Sequence, residues 1–165
     1  MINTRTMAKK GFTLIEMLVV ISLIGILAAL ALVSFTSSQK QARDVMRKSD
    51  LKQYQTVLES YANLGSGFYL SRTSGQSASS ILCPDLNLVI EPDISCLEDP
   101  RYVIDNAYRY FYISDGTGSG NVDATKYVLW AKLENKTNTY WVVCSSGRSG
   151  VSASVPTTAV CPTLN

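Results

Sequence analysis

Glu16 is the one charged side chain between Lys10 and Lys40, and an isolated carboxylate in an apolar stretch has few uses. Left ionised and unpaired inside a bilayer, it costs about 2.5 kcal/mol or more. An ammonium desolvated beside it lowers that cost sharply. The chemistry on offer at Glu16 is therefore ion pairing with a cation that the stretch itself lacks. A second group of oxygen donors lies in Asp115-Gly-Thr-Gly-Ser-Gly-Asn121-Val-Asp123. Asp115, Asn121 and Asp123 have a spacing that a hard cation such as calcium can use. The segment lacks the full D-x-[DN]-x-[DN]-G pattern with its distal Glu, and Asp and Gly are also good turn residues. Glu91, Asp93, Glu98 and Asp99 form a weaker acidic group.

Other chemistry is thinned out by composition. The 165 residues contain no histidine, which removes the commonest general base and metal ligand and the usual Ser/His and Cys/His nucleophile pairs. The four cysteines are Cys83, Cys96, Cys144 and Cys161, all beyond the apolar stretch. In an oxidising compartment an even set of this kind pairs. Three connectivities are possible. Cys83–Cys96 with Cys144–Cys161 is favoured because each closes a short local loop, worth roughly 3 kcal/mol in the chain-entropy picture. A zinc site is the rival, without C-x₂-C spacing to support it. The formal net charge is +2, and without residues 1–11 the balance is 12 basic to 13 acidic. No strong nucleic-acid electrostatics follows. The Tyr and Trp residues can stack on bases, but their alternation fits sheet packing better.

The elements that must position these groups begin with residues 12–35, 24 residues or ~36 Å as a helix, enough to cross a hydrocarbon core. Arg5, Lys9 and Lys10 precede them and predict that the N-terminus stays cytoplasmic while the remainder is exported. Three uses compete. One is a secretory signal cut at Ala29-Leu30-Ala31, releasing a monomeric exported binding domain. Another is a plain single-pass anchor. Neither employs Glu16. The third is cleavage after Gly11, which frees an amine at Phe12 one helical turn from Glu16 and within reach of a neighbouring chain's Glu16.

Lys9-Lys10-Gly11-Phe12-Thr13-Leu14-Ile15-Glu16 resembles the class III signal of the type IV pilin and pseudopilin family. The resemblance implies that a prepilin peptidase cuts between Gly11 and Phe12, that the Phe12 amine is methylated, and that Glu16 neutralises an adjacent subunit's amino terminus during assembly. An 11-residue leader is similar to those of the type IVa and pseudopilin class. Many major subunits carry a proline where this chain has Val33, so local melting of the helix is expected around Gly25 if anywhere. The implied partners are other pilin subunits, the peptidase, inner-membrane assembly machinery and the membrane itself. The implied locations are the cytoplasmic membrane before assembly and a surface pilus or periplasmic pseudopilus after it. Adhesion, motility, DNA uptake or type II secretion are the family's uses, and none of them is enzymatic.

The helix is expected to continue to about residue 63, since no Pro or Gly interrupts Gly25–Gly65. Leu51, Tyr54, Leu58 and Tyr61, with Val57 beside them, make an apolar stripe for packing on a sheet. Polar residues fill 36–50, where Asp44→Lys48 pairing would hold a solvated face. By resemblance, Arg43, Asp44, Arg47 and Asp50 become lateral filament contacts. The expected fold is α+β, with an amphipathic half-helix over 36–64 and a globular head over 65–165. The head should hold a Ser/Gly-rich connection at 71–80, a loop at 83–100 and an antiparallel sheet of three to four strands. Tyr102–Ser114, Lys126–Leu133 and Thr139–Cys144 are the expected strands. Tyr108, Tyr110 and Tyr112 should share a face. A Cys-bounded loop, Ser145–Pro162, then follows as either a contact surface or a stapled tail. The order of elements is similar to the type IV pilin head, in which some major pseudopilins bind calcium in a loop comparable to 115–123.

Overall fold

The computed structural model describes residues 11–85 and 96–165. Arg5, Lys9, Lys10, Glu91 and Asp93 lie outside the described residues. The chain forms two units, residues 1–39 and 40–165, considered separately here.

The first unit holds the opening half of helix α1 (Leu14–Leu64). Leu14, Ile21, Leu27 and Leu30 are all more than half exposed, so their apolar face has no partner among the described residues. α1 is long and apolar enough to cross a membrane. Gly25 stays helical, with open space where a Cβ would point, and the helix runs on through Val33.

The second unit packs the far half of α1 on a sheet. Strands β1 (Tyr69–Leu70) and β4 (Val122–Ala124) make a small antiparallel pair. The main sheet has five antiparallel strands in the order β2-β3-β5-β6-β7, namely Gln76–Ser77, Tyr110–Ser114, Tyr127–Lys132, Tyr140–Cys144 and Ser149–Ser152. The three central strands are those expected, and short strands extend the sheet on both edges. Pairing of Tyr112 with Leu129 and of Leu129 with Val143 fixes the faces, because side chains alternate along a strand. Tyr110, Tyr112, Tyr127, Leu129, Ala131 and Val143 meet Leu51, Tyr54, Leu58 and Ala62 of α1. Ile113, Val128, Trp130, Val142 and Cys144 face the other way, covered by Phe111, Tyr140, Cys161 and Leu164.

Several expectations need correction. The first strand is Tyr110–Ser114 alone. Residues 99–108 instead form turns, with the Tyr102 and Asp105 amides donating to Asp99 and Arg101 carbonyls, so Tyr108 leaves the face it was to share. The expected loop after residue 83 begins inside a helix, α2 (Ala78–Asp85), with Pro84 in its last turn. The Cys-bounded tail supplies β7, and Val151 and Asn165 exchange backbone hydrogen bonds at 3.2 and 3.0 Å. That tail is the second layer over the sheet. It buries apolar side chains that a two-layer fold would leave wet. Both disulfides join the favoured pairs, Cys83–Cys96 and Cys144–Cys161.

Candidate functional site

At the N-terminal site, Thr13 and Glu16 close on one another. The backbone N–H and the hydroxyl of Thr13 both donate to Glu16 Oε2 at 2.8 Å. The Glu16 amide donates back to Thr13 Oγ1 at 3.3 Å. This is a capping box: it satisfies amides that the first turn of a helix leaves orphaned, and it explains why α1 begins at Leu14. It also places the carboxylate where the helix dipole favours negative charge. Phe12 is 81% exposed and leads into the apolar surface of Ile15, Met17, Val19 and Val20. The T-x-x-E spacing was present in the sequence as a cap signal beside the one already read at Glu16.

The loop between β3 and β4 is built on glycines. Gly116, Gly118 and Gly120 all have positive φ, and a Cβ on Gly116 would lie 2.6 Å from Ser71 Oγ. The loop thus lies directly against Ser71, the residue that follows β1. Its acids are already occupied. Asp115 accepts from the Thr125 amide and hydroxyl at 2.6 and 2.7 Å and from the Lys126 amide at 2.9 Å. Burial pushes its carboxyl upward, but the Thr125 and Lys126 donors overcome this and hold it below the usual range. Asp123 accepts from the Thr117 hydroxyl at 2.6 Å, which lowers its pKa. Asn121 is exposed and uses its carbonyl to accept from the Ser71 amide. Among the described residues, no three His, Cys, Asp or Glu side chains converge to hold a metal ion.

The charged stretch of α1 is where the structure departs furthest from the sequence reading. Arg47 is fully buried and Asp44 is 6% exposed, so neither is free to be a lateral contact. Arg47 binds Asp44 at 2.8 Å, Asp99 at 2.5 and 2.9 Å, and Glu134 at 2.7 Å. Arg43 makes a two-pronged pair with Glu134 at 2.8 and 2.7 Å, and Arg101 reaches the same carboxylate at 3.2 Å. Asp44 also accepts the Glu134 and Asn135 amides at 2.9 and 3.0 Å, in place of the expected Lys48 pair. The rings and cations join in: Tyr108 takes Arg47 at 4.9 Å and Arg101 at 4.6 Å. Hydrogen bonds from Arg43, then Arg47, hold the Glu134 carboxyl at about 2 despite burial. Burial alone would lower the Arg47 pKa, but Asp99 and Glu134 raise it on balance. Asp50 accepts the Tyr110 hydroxyl at 2.5 Å.

A model of the prokaryotic N-terminal methylation motif matches residues 6–32. The N-terminus carries that motif. The chain is 40% identical over 52 residues to the type IV major pilin protein PilA of Myxococcus xanthus (strain DK1622), a match covering 32% of this chain and 24% of that relative. The aligned stretch thus spans about a quarter of the relative's length. No solved structure matches.

In this pilin-like chain the matched stretch contains Gly11, Phe12 and Glu16. The long apolar helix on an antiparallel sheet makes the α+β architecture pilin-like as well. The structure brings Glu16 together with Thr13, and the buried charges with the loop after Cys96 and the β5–β6 turn. Asp115 and Asp123 are each hydrogen-bonded within or beside the loop, to Thr125 and Lys126 and to Thr117 respectively.

Proposed function

We propose that this chain is a structural subunit of a type IV pilus-like filament. A prepilin peptidase cuts between Gly11 and Phe12, the Phe12 amine is methylated, and the exposed half of α1 leaves the bilayer for the filament core. The single observation that carries the reading is the methylation motif over residues 6–32, opening a helix whose apolar surface is exposed among the described residues. Before assembly Glu16 is satisfied by its own Thr13. On assembly it exchanges those neutral donors for a neighbour's charged amine, which adds the attraction of opposite charges in a water-poor surrounding. The head, with both disulfides, is exported.

The test is the N-terminal sequence and mass of the protein from native membrane and surface-shear fractions. A mature chain starting at Phe12, heavier by one methyl group, is the expected result. A chain starting at Leu32 would make this an ordinary exported domain and remove the assembly reading. Long surface fibres, against restored secretion without fibres, would separate a pilus subunit from a type II secretion pseudopilin.

A further inference from the structure

The face of the sheet turned away from α1 is not wholly covered by the tail. Between the strand-leading residues Thr73–Gly75 and the tail residues Val155–Thr157 lies an open groove of about 580 Å³, within the size range of small-ligand sites. Its floor is aromatic. Phe111 lies on Trp130 with ring centroids 5.4 Å apart and planes within 13°, and Tyr140 lines the same groove. The approach is close by construction, since a Cβ on Gly75 would come within 2.7 Å of the Trp130 ring edge. Phe111 and Tyr140 are half-buried and open onto the groove, while Trp130, only 3% exposed, backs them.

The rim is polar and of one sign. Among the described residues, Lys132 is the charged side chain lining the groove, no acid lines it, and Thr73 and Thr157 add hydroxyls. The Lys132 ammonium also lies 5.2 Å from the Tyr108 ring, which orients it without neutralising it. A ligand that fits must offer a flat C–H face to aromatic rings, hydroxyls to threonines and one negative charge to a lysine. A lipid tail has no use for the hydroxyl rim. A nucleic-acid backbone requires more than one cation along its path. We infer that this groove binds an acidic saccharide, with a uronic-acid carboxylate on Lys132 and the sugar ring against the half-buried Phe111 and Tyr140 rings.

The assignment does not depend on filament assembly. It is tested by titrating trigalacturonate into the detergent-solubilised full chain by calorimetry, with maltotriose as the neutral control. Saturable binding of trigalacturonate, at least about tenfold tighter than maltotriose, is expected. Lys132→Gln should weaken it about tenfold or more, while Lys132→Arg keeps it, as a charge-assisted contact requires. Ser74→Trp, at an exposed rim position, should block binding while leaving the far-UV circular dichroism unchanged. Absence of saturable binding at millimolar trigalacturonate overturns the proposal. So does equal affinity for maltotriose, or binding that survives both Lys132→Gln and Ser74→Trp.

Discussion

Arg47 and Asp99 meet with both side chains fully withdrawn from solvent, Nε to Oδ2 at 2.5 Å and Nη2 to Oδ1 at 2.9 Å. They are 52 residues apart in sequence, and between them they tie α1 to the segment that follows Cys96. A buried pair of this kind adds little against a well-packed apolar substitute, yet removing one partner leaves an uncompensated charge. Arg47→Met should therefore destabilise the head by about 3–5 kcal/mol. The variant deprives Asp44, Asp99 and Glu134 of a shared cation. Asp99→Asn should cost less, because Asp44 and Glu134 still neutralise Arg47. Denaturant unfolding of the detergent-solubilised full chain checks the order. Equal and small losses in both variants would mean that the cluster is hydrated and weak.

Glu134 gives the same cluster a pH signature. Its folded pKa is about 2 where the ordinary value is 4.5, held there first by Arg43 and then by Arg47. A depressed acid stabilises the fold above its unfolded pKa and loses that contribution as pH falls through the folded one. The thermal midpoint should accordingly drop between pH 4.5 and 2. Asp115 and Asp123 are lowered too, so Glu134→Gln should flatten the slope without abolishing it. An unchanged slope in Glu134→Gln would place the acid sensitivity elsewhere.

The tyrosines give the alkaline counterpart. Burial and then the Glu59 carboxylate raise the Tyr127 and Tyr69 phenols, Tyr69 to about 12. Glu59 accepts from both hydroxyls, at 2.7 and 2.8 Å. Burial followed by Asp50 raises Tyr110 in the same sense. A phenol whose pKa is raised on folding stabilises the fold below its unfolded pKa and loses that as pH rises. Titration of phenolate absorbance should show Tyr69, Tyr110 and Tyr127 ionising above the free tyrosine value of about 10, and only together with unfolding. Ionisation of those three near the free value with the fold intact would mean that the helix–sheet interface admits water.

What the sequence disclosed and what it hid divide along physical lines. The alternation of Tyr127, Leu129 and Ala131 with Val128, Trp130 and Lys132 is legible in the sequence and matches the two faces of β5, because a strand buried on both sides still keeps its period of two. Thr13 and Glu16 were readable together, yet Glu16 was read only for assembly. Arg47 and Asp44 look like surface residues by type. Yet both fall four and seven positions before Leu51, on the backward extension of the Leu51–Tyr54–Leu58 stripe, so periodicity outweighed residue type. Their partners Asp99 and Glu134 come from distant segments and leave no local mark. Strand β7 and the tail pairing at Val151 were hidden for a similar reason. A Ser-, Gly- and Thr-rich stretch becomes a layer only because Cys144–Cys161 staples it over Trp130 and Val142.

The β3–β4 loop predicts a negative result with calcium. The Asp115 and Asp123 oxygens are taken by Thr125, Lys126 and Thr117 donors, which supply the positive partners that a cation would otherwise provide. Neither millimolar calcium nor a chelator should shift the thermal midpoint. A ligand at a hundred times its Kd would add about 2.7 kcal/mol. A clear rise with calcium, lost in Asp123→Asn, would show that the loop rearranges to bind the ion.

Thr13 and Glu16 separate capping from assembly. Thr13→Ala removes a hydroxyl cap, worth typically ~1 kcal/mol, while leaving the Glu16 charge in place. Glu16→Gln keeps a capping-box acceptor but has no charge to offer a neighbour's amine. If Glu16 acts through its charge, Glu16→Gln should be cut at Gly11 and accumulate in the membrane without filaments. Thr13→Ala should then yield filaments at a reduced level. Mass spectrometry of the membrane fraction reads cleavage, and sheared surface protein reads assembly. Filaments from Glu16→Gln at the parental level would confine Glu16 to capping its own helix. Loss of filaments in both variants alike would instead mean that the cap geometry, not the charge, is what the neighbouring subunit requires.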